Sequence, residues 1–129
     1  ITNHVIVGTG IDIAEPKRLE DAVRRRGRRF LERVFTPAER AYCERHRNRW
    51  ERYAARFAAK EAAFKALGTG WRRGVRWREV EVTNEPGGRP TLTLSGQARK
   101  FAEAAGVKHI SLSITHTPQF VLAQVIFEN

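Results

Sequence analysis

The stretch from about Trp50 to Leu67 has the periodicity of a helix that is apolar nearly all the way round, and such a helix belongs at the centre of its fold. Projected at about 100° per residue, Tyr53, Phe57 and Phe64 share one stripe, while alanines and Leu67 cover most of the remainder. The pattern stops at Gly68-Thr69-Gly70, where a glycine suits a helix C-cap and where the backbone could also approach a ligand closely. Glu61 lies among the aromatics of the stripe. A carboxylate there needs a partner, because burying an unpaired charge is costly. An ordinary pair with Lys65 one turn on is worth only about 0.2–0.5 kcal/mol. Such a pair accounts for an exposed surface better than for a site surrounded by aromatic rings.

Around this helix the chain alternates between strand and helix patterns. Val5 to Ile13 reads as a strand with Val5, Val7, Ile11 and Ile13 on one face. Gly8, Gly10 and Asp12 occupy the other face, leaving open space that something must fill. Glu15-Pro16 starts a helix whose apolar stripe is Leu19, Ala22 and Val23, and Gly27 ends it. Thr36-Pro37-Ala38-Glu39 is a capping box that opens a second helix. Val75 to Thr83 and Thr91 to Leu94 read as strands around the turn Glu85 to Pro90. Ser95 caps a helix from about Gln97 to Ala105, and Ile110 to Thr115 and Phe120 to Phe127 are strands joined through Thr117-Pro118-Gln119. The expected fold is α+β, a single domain over residues 1–129 with a mostly antiparallel sheet and a long central helix.

Lys and Arg together number 24 against 14 acids, a formal charge of +10. That imbalance speaks for an anionic partner but not for a fold. No apolar run approaches the roughly 20 residues of a membrane span, and Ile1 to Val7 lacks the features of a secretory leader. The lone Cys43 cannot form an internal disulfide and is expected to be a packing residue, in keeping with a cytoplasmic location. No zinc spacing, Walker loop or nucleophile elbow is present.

Asp12 beside glycines and Glu61 among aromatics together suggest a shared metal site. Two carboxylates are too few to cage calcium, but they suit magnesium, which keeps waters and takes further ligands from phosphates. Arg56, Lys60, Lys65 and Arg18 would then face the phosphates the metal leaves uncovered. Acids for a metal and bases for phosphates are the parts of phosphoryl transfer. Two other readings remain open: a basic nucleic-acid-binding domain and a magnesium-dependent phosphodiesterase. His116, at the end of a strand, is compatible with either a structural or a functional role.

Four stretches, GTGIDIAEPKRLE (8–20), FTPAERAYC (35–43), RFAAKEAAFKALGTG (56–70) and SLSITHTPQFVLAQVI (111–126), resemble in content and order the holo-acyl-carrier-protein synthase family of 4′-phosphopantetheinyl transferases. The resemblance implies the fold of that family and transfer of the 4′-phosphopantetheine arm of coenzyme A to a serine of an apo acyl carrier protein, releasing 3′,5′-ADP. It implies that Asp12 and Glu61 hold Mg2+ and that Lys65 contacts phosphate. Arg56 and His116 would help bind coenzyme A, with Lys60 and Gly68 beside them. Glu61, directly or through a metal-bound water, is the candidate base, and Glu15 a weaker one. Arg18, Arg24, Arg25 and Arg28 would dock the carrier protein from the first helix. The family's first helix often carries methionines, which this chain lacks, so its carrier contact is expected to lean on charge. The resemblance further implies a homotrimer with active sites at subunit interfaces, and neither nucleic acid nor membrane as partner. Fatty-acid and polyketide carriers are equally compatible with it.

Overall fold

A computed structural model describes residues 4–68 and 74–129. The elements run β1 (Ile6–Ala14), α1 (Pro16–Arg26), α2 (Arg28–Val34), α3 (Pro37–Glu44), α4 (Arg49–Leu67), a 3-10 turn (Trp77–Glu79), β2 (Val80–Asn84), β3 (Pro90–Leu94), α5 (Gly96–Ala104), β4 (His109–His116) and β5 (Val121–Glu128). The α+β class, the antiparallel pairing and the central helix agree with the sequence reading, although the strands form two sheets. One has the order β1-β5-β4 and the other is the hairpin β2-β3.

α4 lies across the face of the three-stranded sheet, over β1 and β5. The glycine face of β1 makes this possible. A Cβ on Gly10 would collide with the carbonyl oxygen of Ala62, and one on Gly8 with that of Ala66. The space left open by the glycines is therefore filled by the backbone of α4, at a distance no other residue allows. Ala58, Ala59, Ala62 and Ala63 are fully buried around this approach. Val7, Ile11 and Ile13 point the other way and are 39%, 53% and 57% exposed. An apolar strand face turned to solvent is unusual enough to need an occupant.

Several local expectations hold. Thr36 Oγ1 accepts from the Glu39 amide at 3.2 Å, and Glu39 Oε1 accepts from the Thr36 amide at 2.8 Å, completing the capping box. Gly27, at φ 81°, ends α1, and Cys43 is buried, its thiol pushed up to about 12 by desolvation, and so inert. Others need correction. A separate helix, α2, follows Gly27, so Arg28 opens a new element and does not continue the first helix. Val75 to Glu79 is not strand; the ladder starts at Val80. Ser95 makes no side-chain cap for α5. The Glu79 carboxylate takes that place, accepting from the amides of Gln97 and Ala98 at 3.2 Å each. No helix among the described residues is long and apolar enough to cross a membrane.

Gly10→Ala should lower stability by more than about 3 kcal/mol or abolish folding, since the collision is with backbone and no rotamer relieves it. Gly87→Ala, where nothing lies within 4 Å, should leave the urea midpoint unchanged. Equal midpoints for the two variants would contradict the close approach.

Candidate functional site

Asp12 lies on the α4-facing side of β1, two residues beyond Gly10, and its carboxylate meets the side chain of Lys65 from α4. Lys65 Nζ sits 3.1 Å from Asp12 Oδ1 and donates to the Ile11 carbonyl at 2.9 Å. The lysine thus pairs across to the strand, which settles against a simple Glu61–Lys65 helix pair as its arrangement. Glu61 lies one turn before Lys65 and is half-buried. Burial pushes its carboxyl above the ordinary glutamate range, the charge of Asp12 pushes it further, and Lys65 opposes both. Glu61 beside the charge of Asp12, with a single ammonium, Lys65, paired to Asp12, makes a site short of positive charge.

The other predicted residues divide between this centre and elsewhere. Arg56 and His116 come together in a cavity of about 310 Å³ that also includes Tyr42, Arg52 and Asn84. The Arg56 guanidinium is 3.9 Å from the Tyr42 ring centroid, and its Nη2 donates to Asn84 Oδ1 at 2.8 Å. Its Nε is buried without a partner among the described residues, a donor suited to an anion. Five residues along a helix turn it by about 140°, so Arg56 and Glu61 face opposite flanks of α4. One chain does not bring the two groups into a single pocket.

Lys60 is misplaced by the sequence reading. Its side chain is 0% exposed and its ammonium is 2.8 Å from Glu39 Oε1. It also donates to the carbonyls of Trp77, at 3.1 Å, and Val80. No phosphate can reach it. Gly68 is the left-handed C-cap of α4 at φ 76°, its amide donating to the Phe64 and Lys65 carbonyls; Thr69 and Gly70 lie outside the described residues. Arg18 and Arg25 are exposed, Arg18 beside Glu15 at 3.7 Å. Arg24 is held to Glu20 at 2.5 Å, which spends part of its charge within its own helix.

A larger cavity of about 910 Å³ went unread in the sequence. Phe30, Phe57 and Trp77 line its apolar side, and Arg26, Arg33 and Arg76 are among its cationic residues. Trp77 stacks on Phe57 with centroids 5.2 Å apart and meets Phe64 edge-on at 5.1 Å. The signal available was the arginine-flanked Trp77 in the segment Val75 to Glu79, which a strand reading of that segment concealed.

Donor chemistry fits magnesium. Among the described residues no group of three or more His, Cys, Asp or Glu could hold a metal, so a cation at Asp12 and Glu61 would have that pair alone as its protein carboxylates. That pair leaves coordination positions to water and phosphate, the usual habit of magnesium.

Comparison with known proteins places this arrangement. A family model describing the 4′-phosphopantetheinyl transferase superfamily matches residues 8–125. A holo-[acyl-carrier-protein] synthase of Solibacter usitatus is 57% identical over 125 residues, covering 97% of this chain and 100% of that protein. The Koribacter versatilis protein of the same name is 52% identical over the same shares. The crystal structure of the Neisseria meningitidis synthase is 35% identical, with a TM-score of 0.88 over 97% of this chain and 100% of that one. The Helicobacter pylori synthase, solved in complex with coenzyme A, is 31% identical with a TM-score of 0.81, covering 92% of this chain and 98% of its own. By fold, by sequence and by the family match across nearly its whole length, the chain belongs to the 4′-phosphopantetheinyl transferase superfamily.

Proposed function

We infer that this member is a holo-acyl-carrier-protein synthase, moving the 4′-phosphopantetheine arm of coenzyme A to a serine of an apo acyl carrier protein and releasing 3′,5′-ADP. The observation that carries the reading is Asp12, Glu61 and Lys65 meeting where β1 crosses α4. The relatives' shared name and the Helicobacter pylori complex with coenzyme A support it.

Asp12 and Glu61 would hold Mg2+, which supplies positive charge to the pyrophosphate of coenzyme A. Lys65 offsets the negative charge that grows on the departing 3′,5′-ADP oxygen. The carrier serine oxygen forms a bond to the β-phosphorus as the bond to 3′,5′-ADP breaks, and the serine proton must leave. Glu61, placed beside Asp12 and Lys65, is the candidate base. Glu15 is the poorer candidate because Arg18 lies within 3.7 Å of its carboxylate. The exposed arginines Arg18 and Arg25, with Arg28 at the start of α2, present charge to an acidic carrier, and Arg24 contributes less.

Arg56 and His116 bind the nucleotide end of coenzyme A, the buried Arg56 Nε being the donor that awaits an anion. Because this cavity and the acid pair lie on opposite flanks of α4, a complete site draws on two chains. The exposed face of Val7, Ile11 and Ile13 beside Asp12 is the surface that would pack in a homotrimer. The reaction belongs in the cytoplasm, where a buried, unpaired Cys43 stays reduced.

Incubation with coenzyme A, magnesium and an apo carrier should add one phosphopantetheine mass to the carrier, and Glu61→Gln should abolish that gain while keeping the fold. No mass gain across several carriers, or full activity in Glu61→Gln, contradicts the reading. Glu61→Gln and Arg56→Ala chains, each inactive alone, should recover up to about a quarter of parental activity when unfolded and refolded together in equal amounts, because about one interface in four then carries both intact groups. Absence of recovery in co-assembled oligomers would place both groups of a site in one chain.

A further inference from the structure

Lys60 is the most enclosed cation among the described residues, and the phosphate chemistry expected of it is closed off. Its ammonium holds three acceptors from three different segments: Glu39 of α3, the Trp77 carbonyl of the 3-10 turn and the Val80 carbonyl that begins β2. Glu39 is equally occupied. Besides the ammonium it accepts from the Thr36 amide and, through Oε2, from the Val82 amide at 2.8 Å. Desolvation drives the Lys60 ammonium toward its neutral form, and Glu39 opposes this.

A buried ion pair of this kind seldom adds stability over apolar groups of the same size. Here its partners suggest what it does instead. Trp77, whose backbone Lys60 holds, packs its indole against Phe57 and Phe64. Those two rings bracket Glu61 on the same stripe of α4, one turn before it and three residues after. Lys60 itself points about 100° away from Glu61 and touches nothing in the site.

We propose that Lys60 and Glu39 are positioning residues for the transfer reaction: they pin the Trp77 segment, and Trp77 in turn fixes the two phenylalanines that flank Glu61. The proposal rests on the functional reading above and adds to it a pair that never meets substrate.

The test is a double-mutant cycle of Lys60→Met and Trp77→Ala in the full chain, read as kcat and as KM for coenzyme A at saturating apo carrier. Each single variant should lower kcat by about tenfold or more while KM changes by less than about threefold, because the donor's nucleotide end binds at Arg56 and His116. The double variant should be within about threefold of the worse single, as expected of residues acting through one another. Losses that multiply, a raised KM with unchanged kcat, or a Trp77→Ala variant with full kcat would each overturn the proposal. Where Lys60→Met does not fold, Glu39→Leu/Lys60→Met removes both charges together; it should fold and keep the kcat loss, and full activity in it would also overturn the proposal. Failure of the functional reading would show separately, as no transfer by the parent. Positioning is then read from Trp77 emission in a Trp50→Phe/Trp71→Phe background, which Lys60→Met should shift to longer wavelength; unchanged emission refutes it.

Discussion

The approach of the α4 backbone to β1 at Gly8 and Gly10 is the contact on which the rest of the structure depends. Two missing side chains let the helix settle onto the strand, carbonyl against Cα. The same approach sets the distance from Asp12 to the turn carrying Glu61 and Lys65, so the packing of the core and the geometry of the site are one constraint. It also explains the alanines of α4, since larger residues at 58, 59, 62 and 63 would lift the helix from the sheet.

A second constraint acts on another side of α4. The fully satisfied pair Lys60–Glu39 joins α3, α4 and the start of β2, and it forms the polar centre of an otherwise apolar interior. α4 thereby carries charge on two sides: Glu61 lies on the side of Asp12, while Arg56, with its buried Nε, and Lys60 lie one turn apart on another. Lys60 is neutralised by Glu39, whereas Arg56 meets the neutral Asn84 and the Tyr42 ring, and its Nε has no partner among the described residues.

Much of this was legible in the residue pattern. The helix boundaries near Trp50 and Leu67, the capping box at Thr36 and the hairpin of β4 and β5 each rest on local signals, and local signals survive folding. The reading of Asp12 and Glu61 as partners also came from pattern, through the cost of a lone charge among aromatics. What could not be read locally was direction. Lys60, Glu61 and Lys65 are near neighbours in the chain, yet only the position of Glu39, 21 residues before Lys60, decides that the first faces inward. The 3-10 turn at Trp77 was hidden because it runs directly into the alternating Val80 and Val82 of β2, while long-range bonds from Lys60 and to Glu79 hold it otherwise. The exposed face of β1 was unreadable for the opposite reason. Alternation marks two faces but does not say which one a helix will cover.

The central claim is that the crossing of β1 and α4 builds a divalent cation site from two carboxylates. Anomalous diffraction from crystals grown with manganese and coenzyme A tests it most directly. The account predicts one strong peak between Asp12 and Glu61, within bonding distance of an oxygen from each and of the donor's pyrophosphate. A peak held by other residues, or density for coenzyme A with no cation between those two carboxylates, would contradict it.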